Sequence, residues 1–170
     1  MPNTYQLSIQ KALKSAKYHE DLAFLYAHPN EAKYDELVTH LRSYYWELWS
    51  VWEYIIQAVN EHSLNLDKQN VREDFIKKLK KERPDYPYAK DLEKVFNNER
   101  LIRINQLRNY SHKWQIDASL VEIDENDKVN VIAFNPKGSE GTLPRQINID
   151  KNDLWFMTET TKSFSIKGII

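Results

Sequence analysis

Residues 31–61 read EAKYDELVTHLRSYYWELWSVWEYIIQAVNE, and their periodicity decides the fold. Leu37, Leu41, Tyr44, Leu48, Val51, Ile55 and Val59 recur at helical spacing and form one apolar stripe. Tyr45, Trp49, Trp52 and Ile56 carry the apolar surface around onto a second face. A helix apolar over that much of its circumference must be covered on two sides. Either it runs through the centre of a bundle, or one face meets another subunit, where aromatic residues are enriched. Glu47 and Glu53 lie on the same helix, and if both sides are covered at least one of them needs a partner. Arg42, Arg103 or Arg108 could supply it.

Working outward, residues 4–27 place Leu7, Ile9, Leu13, Ala16, Leu22, Ala23 and Tyr26 close to a helical period, and His28-Pro29-Asn30 ends that helix. Beyond a polar link, VREDFIKKLKKER (71–83) predicts a short helix with Val71, Phe75, Ile76 and Leu79 inward. Its Lys77, Lys78, Lys80, Lys81 and Arg83 read as a solvated basic face. Pro84 and Pro87 stop it, and residues 88–112 read as one further helix carrying Leu92, Val95, Phe96, Ile104 and Leu107. The period then switches. SLVEI (119–123) and VNVIAF (129–134) alternate around the turn DENDK and predict a β-hairpin, and RQINI (145–149) offers a third short strand after a loop. Asp150 or Asn152 can cap a last helix that runs through Leu154, Trp155, Thr158, Thr161 and Phe164. The expected fold is mainly α. It is a bundle of four to five helices in a single domain over 1–170, with a β-rich insertion at 117–149.

Composition narrows the function. Only three glycines occur, none in the first 110 residues, so no glycine-rich phosphate loop exists there. The absence of cysteine excludes thiolate nucleophiles and cysteine-based zinc sites. A net charge of −1 supplies no global field for nucleic acid or anionic membrane, so any such contact depends on a local patch. The N-terminal stretch lacks the apolar core of a signal peptide, and no run approaches the ~18 apolar residues of a spanning helix. The expectation is a soluble, cytoplasmic protein with no membrane partner. His19, His28, His40 and His62 show no metal-ligand spacing and read as surface or boundary residues, so neither a metal nor another cofactor is expected.

The stretch with chemistry is RNYSH, residues 108–112. At ~100° per residue, Asn105, Arg108 and His112 fall within an arc of about 60° on the fourth helix, and Arg108 and His112 are an i,i+4 pair. An arginine binds phosphate through a planar fork, a histidine moves protons near neutral pH, and an asparagine can orient either a histidine or a hydroxyl. These are the parts for cleaving RNA without a metal. One protomer offers one such histidine, so the chemistry favours a symmetric dimer with two. The structural alternative is a helix terminus whose histidine interacts with the macrodipole. Trp114 follows at once and could stack on a base or pack beneath the hairpin.

LRNYSH closing a long helix, downstream of the aromatic helix opening LRSYYWELWSVWEYI, resembles the HEPN superfamily. The resemblance covers roughly residues 5–114 and the final helix, with the hairpin outside it. It implies a four- or five-helix bundle that dimerises, with an Arg–polar–His motif at the dimer cleft. Many members are metal-independent RNases acting as toxins, in phage defence or in RNA processing, which makes RNA and an antitoxin or other protein the partners to expect. Others are non-catalytic binding modules. Carried onto this chain, Arg108 matches the motif arginine, Asn109 the polar residue after it and His112 the histidine, with Asn105 and Trp114 as candidate RNA contacts. The chain departs from the pattern in one respect: RNYSH leaves three residues between Arg and His, where the family usually leaves four to six.

Overall fold

The computed structural model describes residues 4–27, 33–65, 75–113, 115–123, 129–134 and 145–170. Six helices and three strands follow in the order α1 (Thr4–Ala27), α2 (Tyr34–Ser63), α3 (Phe75–Glu82), α4 (Ala89–Phe96), α5 (Glu99–Lys113), β1 (Gln115–Ile123), β2 (Val129–Phe134), β3 (Arg145–Ile149) and α6 (Lys151–Ile166). The class is mainly α, as its periodicity predicts. The breaker His28-Pro29-Asn30, Val71 and the DENDK turn lie outside the described residues.

Helix α2 is the central member, packing against α1, α5, α6 and β1. All seven residues of its predicted stripe are fully buried, and so are Tyr45, Trp52 and Ile56 from the second face. The chain itself therefore covers both sides of α2 over most of its length. The residues left over are Trp46, which is 45% exposed, and the half-buried Trp49. Against α2, α1 buries Ala12, Ala16, Ala23 and Ala27, small side chains that let the two backbones approach closely. Leu7 and Leu25 point to solvent instead.

The single helix expected over 88–112 is two, which brings the count to six. Asn97 closes α4, and the Asn98 side chain accepts a hydrogen bond from the Arg100 backbone N–H (2.9 Å), capping α5. The apolar rhythm runs on across this break, so periodicity alone conceals it. Re-aiming the chain at Asn97 also leaves Phe96 40% exposed rather than in the core.

The three strands form one antiparallel sheet in the order β1-β2-β3, with an irregularity in β1 between Asp117 and Val121. It begins at Gln115, directly after α5. It meets the helices through α1, α2 and α5, and Val129, Asn130 and Ile149 are buried. From β3 the chain turns straight into α6, where the backbone N–H of its second residue, Asn152, donates to the Asp150 side chain (2.9 Å). The inward face of α6 is Asp153, Met157, Thr160 and Phe164. Trp155 is 64% exposed. After α6, Gly168 adopts φ +69°, and the Ile169 N–H closes onto the Phe164 carbonyl (2.9 Å), a glycine-terminated C-cap that folds Ile169 and Ile170 into the core.

Candidate functional site

Helix α5 carries three arginines, and two of them, Arg103 and Arg108, enter different surroundings. Arg103 belongs to a closed network. One guanidinium nitrogen donates to Asp153 Oδ2 and the other to the side-chain oxygen of Asn148, both in short contacts, and also to the Asn148 carbonyl (3.3 Å). Arg100 adds a second cation, 3.2 Å from Asp153 and 3.4 Å from Asp150. From α2, the Tyr45 hydroxyl donates to the Asn148 carbonyl and lies 3.3 Å from Asp153, while the Tyr44 hydroxyl donates to the Asp150 carbonyl (3.0 Å). Burial pushes the Asp153 carboxyl up, against the pull of Arg103, and drives both tyrosines well above their ordinary value. The group fixes the start of α6 and the end of β3 onto the core.

Arg108 sits elsewhere. Its guanidinium carbon lies 4.8 Å from the centre of the Trp46 ring and 5.7 Å from that of Trp49. Among the described residues it has no carboxylate partner. A guanidinium held over indole rings is oriented by them without spending its N–H donors on a counter-charge. One turn back on the same helix, Asn105 accepts from Asn109 Nδ2 at 3.4 Å. Asn105 also lines a cleft of about 240 Å³ between α2 and the α4–α5 corner, with Trp49, Phe96, Asn97, Leu101, Ile102 and Gln106. Trp46, Phe96 and Ile102 leave large apolar area exposed around it. The site thus combines a presented cation, two amide side chains and a row of aromatic faces.

The end of α5 is held from α2. Arg42 Nε donates to the Ser111 carbonyl (2.6 Å), satisfying one of the acceptors a helix C-terminus leaves open, and Ser111 Oγ donates back to the Arg108 carbonyl (2.9 Å). Neutral donors reach both α2 carboxylates. Glu47 accepts from Ser15 Oγ (3.0 Å) and Glu53 from the Trp49 indole (2.9 Å), while Arg42, Arg103 and Arg108 are engaged as described.

Of the sequence-predicted site, Asn105, Arg108 and Asn109 are brought together on one face of α5. His112 lies in the last turn of the same helix, but its side chain, like the whole of Trp114, lies outside the described residues. Sequence reasoning missed the part played by Trp46 and Trp49. Their i,i+3 spacing on α2 was a usable signal, but it reads equally well as core. It also missed His19 and His40, which meet across α1 and α2 with their Nδ1 atoms 2.8 Å apart. No protein-family model matches the chain, and neither does any curated protein or solved structure.

Proposed function

We propose that the chain is a HEPN-like protein that acts on RNA as a homodimer, at the face carrying Arg108. The observation that carries this reading is the Arg108 guanidinium laid on Trp46 and Trp49, with its N–H edge free of any described carboxylate, beside an open aromatic cleft. Phosphate suits the edge of that arginine, and unpaired bases suit the aromatic faces. The exposed apolar rim of Trp46, Phe96 and Ile102 suits the seam between two copies. A two-fold seam there doubles the set and supplies the two proton-transfer groups that RNA cleavage requires.

In the catalytic form of this reading, His112 of one protomer takes the proton from a ribose 2′-OH. The 2′-oxygen attacks the adjacent phosphorus, the bond from phosphorus to the 5′-oxygen breaks, and the second copy of His112 protonates that oxygen. Arg108 stabilises the charge gathering on the phosphoryl oxygens, and Asn105 and Asn109 orient the reacting groups. The products are a 2′,3′-cyclic phosphate and a 5′-hydroxyl. The three-residue gap between Arg108 and His112 favours the alternative, a non-catalytic RNA-binding or dimeric interaction module on the same face.

The test is cleavage of end-labelled, mixed-sequence RNA in EDTA by wild type, Arg108→Ala and His112→Ala. Cleavage by wild type alone, leaving 2′,3′-cyclic ends, supports the nuclease, and losing the arginine should slow it about 10²–10³-fold. Cleavage that persists in both variants contradicts it. No cleavage by any of the three leaves the binding module.

A further inference from the structure

We infer that His19 and His40 form a divalent transition-metal clasp between α1 and α2, with Glu36 as its third protein ligand. The site is separate from the Arg108 face and does not depend on the function proposed above. The two Nδ1 atoms face each other at 2.8 Å, from helices joined by their closest packing, although the residues are 21 positions apart in sequence. Two imidazole lone pairs do not face each other at that distance unencumbered. Either a proton sits between them, or a cation does.

The surroundings suit a cation. Both rings are half-buried, so the site is partly screened and still reachable from solvent. Tyr26 stacks on His40 (centroids 5.4 Å apart, planes at 21°) and Tyr18 meets both rings edge-on, which limits how the imidazoles can turn. With its proton on Nε2, a neutral imidazole turns the Nδ1 lone pair toward its neighbour, and that lone pair is what a metal takes. Glu36 precedes His40 by one turn on α2, the spacing at which two side chains reach one ion, and its charge acts on His40.

As the side chains stand, no three such ligands are gathered at coordinating distance among the described residues. Binding therefore requires the side chains to adjust. A tetrahedral ion with metal–nitrogen bonds of ~2.0–2.1 Å holds its nitrogens about 3.3 Å apart and lies off the line between them, so the rings must part by roughly half an ångström and tilt toward it. The exposed Glu36 must then swing one rotamer toward His40. Nitrogen-rich ligation with one carboxylate suits zinc, copper(II) or nickel(II) over calcium or magnesium. With three protein ligands, the remaining positions fall to water, and the site binds more weakly than a closed structural zinc site.

The experiment is calorimetric titration of tag-free, EDTA-stripped full chain with Zn²⁺ alone, repeated with Mg²⁺. His19→Gln, His40→Gln and Glu36→Gln are compared with His62→Ala as the control. The inference expects one Zn²⁺ per chain, a rise in Tm on adding Zn²⁺, and no response to Mg²⁺. Binding should be lost in each histidine variant, weakened in Glu36→Gln and unchanged in His62→Ala. Circular dichroism shows whether the variants keep their helices. Co²⁺ absorption gives a second readout, a visible tetrahedral band in wild type that the histidine variants lack. If wild type binds no Zn²⁺, or if the histidine variants bind it as wild type does, the contact is a hydrogen bond between two neutral rings and the inference falls.

Discussion

Arg103 and Arg108 lie five residues apart on one helix and do opposite work. Five residues turn a helix by about 140° net, so the two side chains leave α5 on different sides. On one side, Asp153, Asn148, Tyr45 and the second cation Arg100 surround Arg103, and Asp153 is fully buried. On the other, Arg108 rests on two indoles at the margin of an open cleft. An arginine enclosed by its counter-charge serves the fold, whereas one oriented by aromatic faces keeps its donors for a partner from outside. Residue type and helical position do not separate these cases. What separates them is the chain that returns from far along the sequence, since β3 and the start of α6 close one side only.

The comparison breaks first, and by the largest effect, at Asp153. Asp153→Ala leaves the Arg103 guanidinium without its carboxylate and opens a gap at the start of α6. It should cost about 3 kcal/mol, seen as a fall in Tm of roughly 6–12 °C. A Tm within a degree of wild type would mean that the closed side does not hold the fold.

Acid probes the packing of α1 on α2, because neither arginine titrates. Burial holds the His19 and His40 pKa values below their unfolded value, so the unfolded chain binds more protons than the folded one as pH falls. The stability they contribute is complete above about pH 6.5 and is lost as pH drops through their lowered folded values. Denaturant melts in EDTA should lose stability from pH 7 toward pH 5, by less than the Asp153 substitution costs, and the double variant His19→Gln/His40→Gln should flatten that slope. An equal slope in the double variant would assign the acid response to other groups.

The smallest effect on stability is expected at the open side. Arg108→Ala removes a stacked cation and no described ion pair, and should cost about 0.5–1 kcal/mol. A loss as large as that at Asp153 would erase the distinction between the two arginines.

How much of this the sequence disclosed depends on the range of the interaction. The stripe of α2 was legible because a helical period is a local signal, and every residue in it is buried. The hairpin and the Asp150 cap were legible for the same reason. The break at Asn97-Asn98 was not, since a side-chain cap interrupts the backbone while Leu92, Ile104 and Leu107 keep the apolar rhythm going. The burial of Asp153 was not legible either. A carboxylate reads as a surface residue until an arginine from another helix is brought to it. At the site, Asn105, Arg108 and His112 could be placed within one arc of α5 from spacing alone, and Asn109 came in only through the motif. The indoles beneath Arg108 come from α2, and only the packing of the two helices brings them there. The contact between His19 and His40 is of the same kind.

The central claim is that Arg108, on its tryptophan platform, is where RNA meets this chain. The most direct measurement is the anisotropy of fluorescent single-stranded 2′-O-methyl RNA, whose blocked 2′-oxygen prevents cleavage, titrated at low salt with wild type, Arg108→Ala and the folded fraction of Asp153→Ala. The account predicts saturable binding by wild type that weakens about tenfold or more in Arg108→Ala, the loss expected for one charge-assisted arginine contact, and is retained by the folded fraction of Asp153→Ala. Equal affinity of wild type and Arg108→Ala, or no binding by wild type, would contradict it.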